Sequence, residues 1–250
     1  MIRIDPHAHL YDTYSVREWC EAACSNLGGI VGVLPVVIVV DREGQNSFSR
    51  FRAEVPLFGS WAELSNGLVG TIKWRDRSIV VVQGVQYVAR ERIEVLGLGV
   101  SRRIGDGAPA AELIELINEE GGLACLPWSP GKWLGARGRV VRKLLDTYRP
   151  TTLTVGDIAI RSSMGPPSTL LLYAKGRGYQ VLCGSDPLPR RADQRMVGSY
   201  GVEIATLPDG ELLPWLLKSL RAGALKRWGA RNTPWLAAWR FFSPTEKDNF

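Results

Sequence analysis

Short apolar runs separated by amphipathic, helix-forming stretches recur along most of this chain. That alternation restricts it to architectures in which strands and helices take turns. Residues 2–4 open as a strand expected to stop at Asp5-Pro6. Ser15 then starts a helix, with Glu18 in the capping-box position three residues on and Gly28-Gly29 at its end. Residues 30–40 read as one interior strand kinked at Pro35. Between 67 and 99 the pattern changes. Residues 68–74, 78–82 and 93–98 are strand-like and joined by tight charged turns such as Arg75-Asp76-Arg77, so antiparallel hairpins are expected to decorate the main sheet. The alternation then returns, with helices over 110–120, 137–148 and 166–175 and strands over 123–126, 151–155, 179–183 and 202–205.

A chain of 250 residues fits one large α/β domain, and no shift in composition marks a second. Residues 1–208 read as its core, and 209–250 as a helical, tryptophan-rich, basic extension. Helices over 212–225 and 235–242 are expected to cover apolar surface of the domain. Their mixture of tryptophan and basic residues also permits contact with an anionic membrane or a protein partner. The longest apolar run, 29–40, contains Pro35 and falls short of the ~20 residues of a membrane span. The N-terminus lacks the apolar core of a secretion signal, so a cytoplasmic location is expected. Cys20 and Cys24 lie on the first helix and Cys125 and Cys183 in strands. None has zinc-ribbon spacing, and free buried thiols are expected. The net charge, 31 minus 25 or +6, permits an anionic partner such as phosphate, nucleic acid or a membrane surface; an anionic small-molecule substrate is the expectation, since no motif accompanies the charge that would specify a nucleic acid.

The strongest chemical signal is Asp5-Pro6-His7-Ala8-His9, which holds both histidines of the chain. Residues two apart in a strand share a face, so His7 and His9 can project together, and neutral imidazoles are good ligands for zinc and similar ions. The alternative is a hydrogen-bonded pair that orients a loop. A third ligand is available in Asp186, where an apolar strand runs into Gly184-Ser185-Asp186-Pro187, although a turn or helix-cap role would also suit it. The segment 127–139 follows a strand and leads into a helix. Its glycines, with Lys132, Arg137 and Arg139, could cradle an anion, and Trp128 could stack on a substrate or block it. It is not a nucleotide P-loop, because Lys132 lacks the required glycine spacing and following Ser or Thr. Ser129 and Lys132 match Ser-x-x-Lys, but Pro130-Gly131 between them opposes the helix that motif needs. Arg190 and Arg191 add charge beside Asp186. A solvated surface loop is the plain alternative for both basic segments.

Taken in order, these motifs resemble the polymerase-and-histidinol-phosphatase (PHP) family of metal-dependent phosphoesterases; the wider amidohydrolases open similarly. Asp5-Pro6-His7-Ala8-His9 is similar to the family's Asp-x-His-x-His start, and residues 38–41 to its second strand. Gly84-Val85-Gln86 followed by residues 94–99 resembles its hairpin, residues 121–126 the strand before its His-Pro step, and Gly184-Ser185-Asp186 its late Gly-Ser-Asp-x-His. The departures are Arg42 and Leu188 where histidines are expected, Gln86 for a glutamate, and Pro127-Trp128 for His-Pro. The resemblance covers residues 1–205. It implies a distorted (β/α) TIM-like barrel of PHP/amidohydrolase type, with an antiparallel hairpin insertion and a helical C-terminus. Only His7, His9 and Asp186 carry over as metal ligands, which suits a single divalent ion: zinc first, with manganese or iron as alternatives. The implied activity is phosphoester hydrolysis, with an amide or lactone substrate left open. Asp12 or Asp41 would handle the proton, with Glu43 and Asp157 as further ligands or bases. Lys132 and Arg137 would hold the anionic end of the substrate, with Trp128 and Arg190 as further substrate contacts. The alternative is a degenerate relative that binds a ligand or protein without catalysis.

Overall fold

Eight of the first nine residues are buried, so the N-terminal strand is interior from its start. In the computed structural model, which describes residues 1–28, 32–101, 104–165, 168–208 and 210–243, β1 (Ile2–Ala8) runs through Asp5-Pro6 instead of stopping there. Its parallel ladder with β2 (Leu34–Asp41) is regular up to Asp5↔Val37 and shifts register before Ala8↔Val39. Pro6 falls within that irregularity, where its missing N–H removes no regular ladder bond. β2 begins at Leu34, later than expected, so Pro35 stands near its start; residues 29–31 lie outside the described residues.

Between these strands runs α1 (Val16–Gly28). The Glu18 N–H donates to Ser15 Oγ at 3.3 Å, as a capping box requires. The reciprocal arm is replaced. Gln194 accepts the Ser15 N–H and donates to the Glu18 carboxylate, so a residue from far along the chain completes the cap. α2 (Ser47–Glu54), two short 3-10 turns and β3 (Ser60–Leu64) follow. None of these had a clear pattern in the sequence, and β3 exposes four of its five residues.

β4 (Val69–Trp74), β5 (Arg77–Val88) and β6 (Glu94–Leu98) form the expected antiparallel meander, but its position differs from expectation. β5 is a central strand, parallel to β2 on one edge. Its other edge pairs first with β4 and then with β6, and only β3 and β4 decorate the sheet. The reason is burial on both faces: Ile79, Val80, Val81 and Val82 are all in the core, the pattern of an interior parallel strand. The alternation then resumes with α3 (Ala110–Glu119), β7 (Leu123–Pro127), α4 (Gly135–Thr147), β8 (Leu153–Ile158), α5 (Thr169–Gly176) and β9 (Val181–Gly184). A 3-10 turn (Arg191–Met196) leads to β10 (Tyr200–Ile204), antiparallel to β1.

The C-terminal segment is not wholly helical. Between α6 (Leu212–Ala222) and α7 (Pro234–Phe242) lies β11 (Lys226–Gly229), which pairs with the free edge of β10. An open strand edge accepts such a partner whatever its side-chain pattern, which is why four residues beginning Lys-Arg gave no signal.

The sheet order is β11-β10-β1-β2-β5-β6-β7-β8-β9. β9, at one end of this order, comes back against β1, where the Asp186 N–H donates to the His7 carbonyl at 2.9 Å, giving a nearly closed, mixed nine-strand barrel. Ile2, Ile4, Val36, Ile38, Val40 and Val82 belong to the inner cluster, which α6 joins through Leu213, Leu216, Leu217 and Leu220. α3, α4 and α5 cover β6, β7 and β8 outside, and α1 and α2 cover β2 and β5. All four cysteines are free thiols. Among the described residues no helix is long and apolar enough to cross a membrane.

Candidate metal centre

Asp5 ties together the strands that carry the site. Its buried carboxylate accepts from the Ser185 N–H at 3.0 Å, the Ser185 hydroxyl, the Gly198 N–H at 2.8 Å and the His7 N–H at 3.2 Å. Burial pushes this carboxyl up to about 6, against the pull of those four donors. The bonds lock the end of β9 against β1. Gly184 makes the approach possible, since a Cβ there would sit 2.5 Å from the His7 Cβ.

His7 is 5% exposed, and neither ring nitrogen makes a hydrogen bond of normal geometry; Gln86 and Asp186 are its polar neighbours. Burial lowers its pKa, with Asp186 and Glu94 pulling the other way, so the neutral ring is favoured and a lone pair is available. His9 lies one residue past the strand, buried, with Nδ1 2.8 Å from the Val40 carbonyl. A carbonyl only accepts, so Nδ1 carries the proton and Nε2 is left as a ligand atom. Both Nε2 atoms lie 3.5 Å from the same Asp186 Oδ1.

Asp186 is held in the left-handed region at φ +42°, which aspartate tolerates better than most residues. Its N–H is bound to the His7 carbonyl, and its own carbonyl accepts from Arg240 Nη2 at 3.2 Å. Burial pushes the Asp186 carboxyl up, but His7 and His9 in their protonated forms outweigh it and hold the group down at about 2. One ligand atom each from His7, His9 and Asp186 lies within 4.8 Å of the others. The structure thus brings together the three residues singled out from the sequence.

The cluster opens on a cleft of about 590 Å³. Lys132 reaches its wall and pairs with Glu94, Nζ to Oε1 2.6 Å. Arg190 and Arg240 line it as well. The Arg240 guanidinium, 1% exposed, pairs with Asp193 at 2.7 Å, and Arg190 donates to the carbonyls of Arg240 and Ser243.

The other expected site residues lie elsewhere. Asp41 is buried and accepts from the Ser47 N–H and hydroxyl, anchoring the start of α2 instead of facing the cleft. Asp12 is exposed on the loop after β1 and is not among the lining residues. Asp157 is paired with Arg161 at 2.6 Å, accepts from Tyr200, and lines a different cavity. Glu43 borders a smaller hollow beside Arg42 and Gln86.

The basic loop is also corrected. α4 starts at Gly135, so Arg137 falls in its first turn and folds back on the Gly131 carbonyl at 3.0 Å, away from the cleft lining. Trp128 packs on the α3–α4 cluster with the Arg161 guanidinium 5.8 Å from its ring, and Arg139 is exposed. Of the expected cations, Lys132 and Arg190 reach the cleft. Glu94 and Arg240 were missed. Glu94 opens the 94–99 motif, which is a usable signal; Arg240 lies 54 residues from Asp186 and has none.

Fold and site together define a mixed α/β barrel carrying a His-His-Asp cluster at one end of its first strand. No protein-family model and no curated protein matches the chain in sequence. Solved structures do resemble it. PsfC from Pseudomonas syringae PB-5123 matches with a TM-score of 0.62 at 13% identity, over 95% of this chain and 96% of PsfC. Endonuclease Q, solved with a 27-mer duplex substrate bearing an abasic lesion at the active site, matches at 0.54 and 13%, over 97% of this chain and 67% of its own. The lesion-specific endonuclease PfuEndoQ from Pyrococcus furiosus matches at 0.55 and 12%, over 90% of this chain and 57% of its own. At these identities the likeness is one of fold.

Proposed function

We propose that this chain is a metal-dependent hydrolase on a distorted TIM-like barrel of PHP type, acting on an anionic phosphoester. The observation that carries this reading is the convergence of the buried His7 and His9 with the partly buried Asp186. The donor set fits a divalent ion: His7 has two buried ring nitrogens without a normal hydrogen bond, and His9 has its tautomer set by Val40. Two imidazoles and one carboxylate suit zinc first, with manganese or iron as alternatives. When bound, the ion supplies Lewis acidity toward a phosphoryl oxygen and lowers the pKa of water.

The remaining work falls to the chain's own groups. Glu94 replaces Asp12 and Asp41 as the carboxylate that moves a proton, because it alone of the three lines the cleft. Lys132 holds Glu94 in place and adds positive charge. Arg190 and Arg240 line the cleft and add positive charge toward an anionic substrate. The likeness in fold to proteins named as endonucleases supports phosphoester chemistry.

A second reading, a non-catalytic binding protein, is favoured by Arg42, Gln86, Trp128 and Leu188 at positions where the resemblance calls for other residues. Metal content decides between them. Protein purified without chelator should hold roughly one equivalent of metal, lost in His9→Ala and in Asp186→Ala while both stay folded. The loaded protein should then hydrolyse a generic aryl phosphate. No metal after reconstitution with zinc and manganese refutes the hydrolase and leaves the binding protein.

A further inference from the structure

α7 is built inside out. Thr233 caps it, Pro234 occupies its first turn, and the sequence Pro-Trp-Leu-Ala-Ala-Trp-Arg-Phe-Phe follows. On a helix bordering a barrel, the apolar stripe should face inward and the charge outward. Here Arg240 is 1% exposed, whereas Trp235 is 86%, Trp239 50% and Phe242 81% exposed. At 100° per residue these three aromatics fall within one narrow arc, and Arg240 lies well away from it. The contrast with α6 is direct, since its leucine face is buried.

The helix is held in this orientation. Its one arginine is tied to Asp193 and the Asp186 carbonyl, and Arg190 grips the carbonyls of Arg240 and Ser243. Turning the aromatics inward would require breaking a buried ion pair. The face is therefore presented to whatever lies outside the cleft. Beside it, the 3-10 turn Arg191–Met196 directs Asp193 inward and leaves Arg191 and Arg195 exposed. The rim thus combines the exposed aromatic rings of α7 with the exposed cations Arg191 and Arg195.

We propose that α7 docks on an anionic lipid surface. Trp235, Trp239 and Phe242 enter the boundary between headgroups and acyl chains, and Arg191 and Arg195 meet the lipid phosphates. Tryptophan favours that boundary because its ring is apolar and its N–H polar. At nine residues α7 lies on a bilayer instead of spanning one. This proposal does not depend on the metal chemistry above.

The test is flotation of the full chain with vesicles of phosphatidylcholine alone or mixed with phosphatidylglycerol, alongside light scattering for oligomeric state. Binding is expected only to the mixed vesicles and should weaken as salt rises. Trp235→Ser/Phe242→Ser should lower partitioning roughly tenfold or more, at unchanged melting temperature, because both side chains are already exposed in the free protein. Arg191→Glu/Arg195→Glu should lower it by about tenfold through charge alone. The proposal is overturned if the wild type fails to float with anionic vesicles, or if the serine variant floats as well as the wild type. A stable dimer that the serine substitutions dissociate also overturns it, since the face would then be covered by a second copy.

Discussion

Removing Arg240 tests whether the C-terminal helix belongs to the site. In the folded chain its guanidinium makes two hydrogen bonds to Asp193 Oδ2, at 2.7 and 3.0 Å, and one to the Asp186 carbonyl at 3.2 Å. Both partners of the ion pair are sequestered, with side chains 1% and 4% exposed. Arg240→Ala leaves the Asp193 carboxylate in that environment with the Leu188 N–H, at 3.0 Å, still donating to it. Breaking a buried pair by deleting one member costs about 3–5 kcal/mol, because the surviving charge stays desolvated. For a chain of this size each kcal/mol lowers the melting temperature by about 2–4 °C, so a fall on the order of 10 °C is expected. The assay is thermal and urea unfolding in chelator, so that metal binding does not enter. Arg240→Met combined with Asp193→Leu should recover most of the loss, since no charge is then left alone. A cost below about 1 kcal/mol for Arg240→Ala, the range of an exposed pair, would refute the reasoning: the pair would be hydrated and α7 not anchored through it.

Other consequences follow from the same geometry. Gly184→Ala places a methyl group 2.5 Å from the His7 Cβ. It should cost about 1–3 kcal/mol of stability and weaken zinc binding measured by calorimetry; an unchanged affinity would show that the approach of β9 to β1 is not what sets His7. Asp41→Ala should cost about 1–2 kcal/mol by releasing the start of α2, with metal content unchanged. Glu94→Gln should stay within about 1 kcal/mol of the parent, because its partner Lys132 is partly exposed, yet lower kcat for aryl phosphate hydrolysis. If instead Asp41→Ala abolishes turnover in folded protein and Glu94→Gln does not, the assignment of the proton-moving carboxylate is wrong.

Much of the site could be read along the chain because its signals are local. Strand periodicity puts His7 and His9 on one face wherever β1 is placed, and a strand running into Gly-Ser-Asp offers a carboxylate at its end. The α-helices that flank the later strands, α3, α4 and α5, are likewise encoded by their own apolar spacing. Asp41 shows the limit of such reading. The sequence offered it as a carboxylate to handle the proton, but Ser47, six residues on, offers two donors and captures it.

By itself, then, the sequence determined the alternation of strands and helices, the pairing of the two histidines and the candidacy of Asp186. These depend on spacing within a single element. Tertiary structure decided that β5 is central, that β11 exists, that Glu94 and Arg240 line the same cleft as His9 and Asp186, and that α7 turns its aromatics outward. Each of these depends on which open edge or unpaired charge a distant segment meets. Backbone edges carry no side-chain code, and the stability of a buried ion pair such as Arg240–Asp193 exists only once both partners have left water.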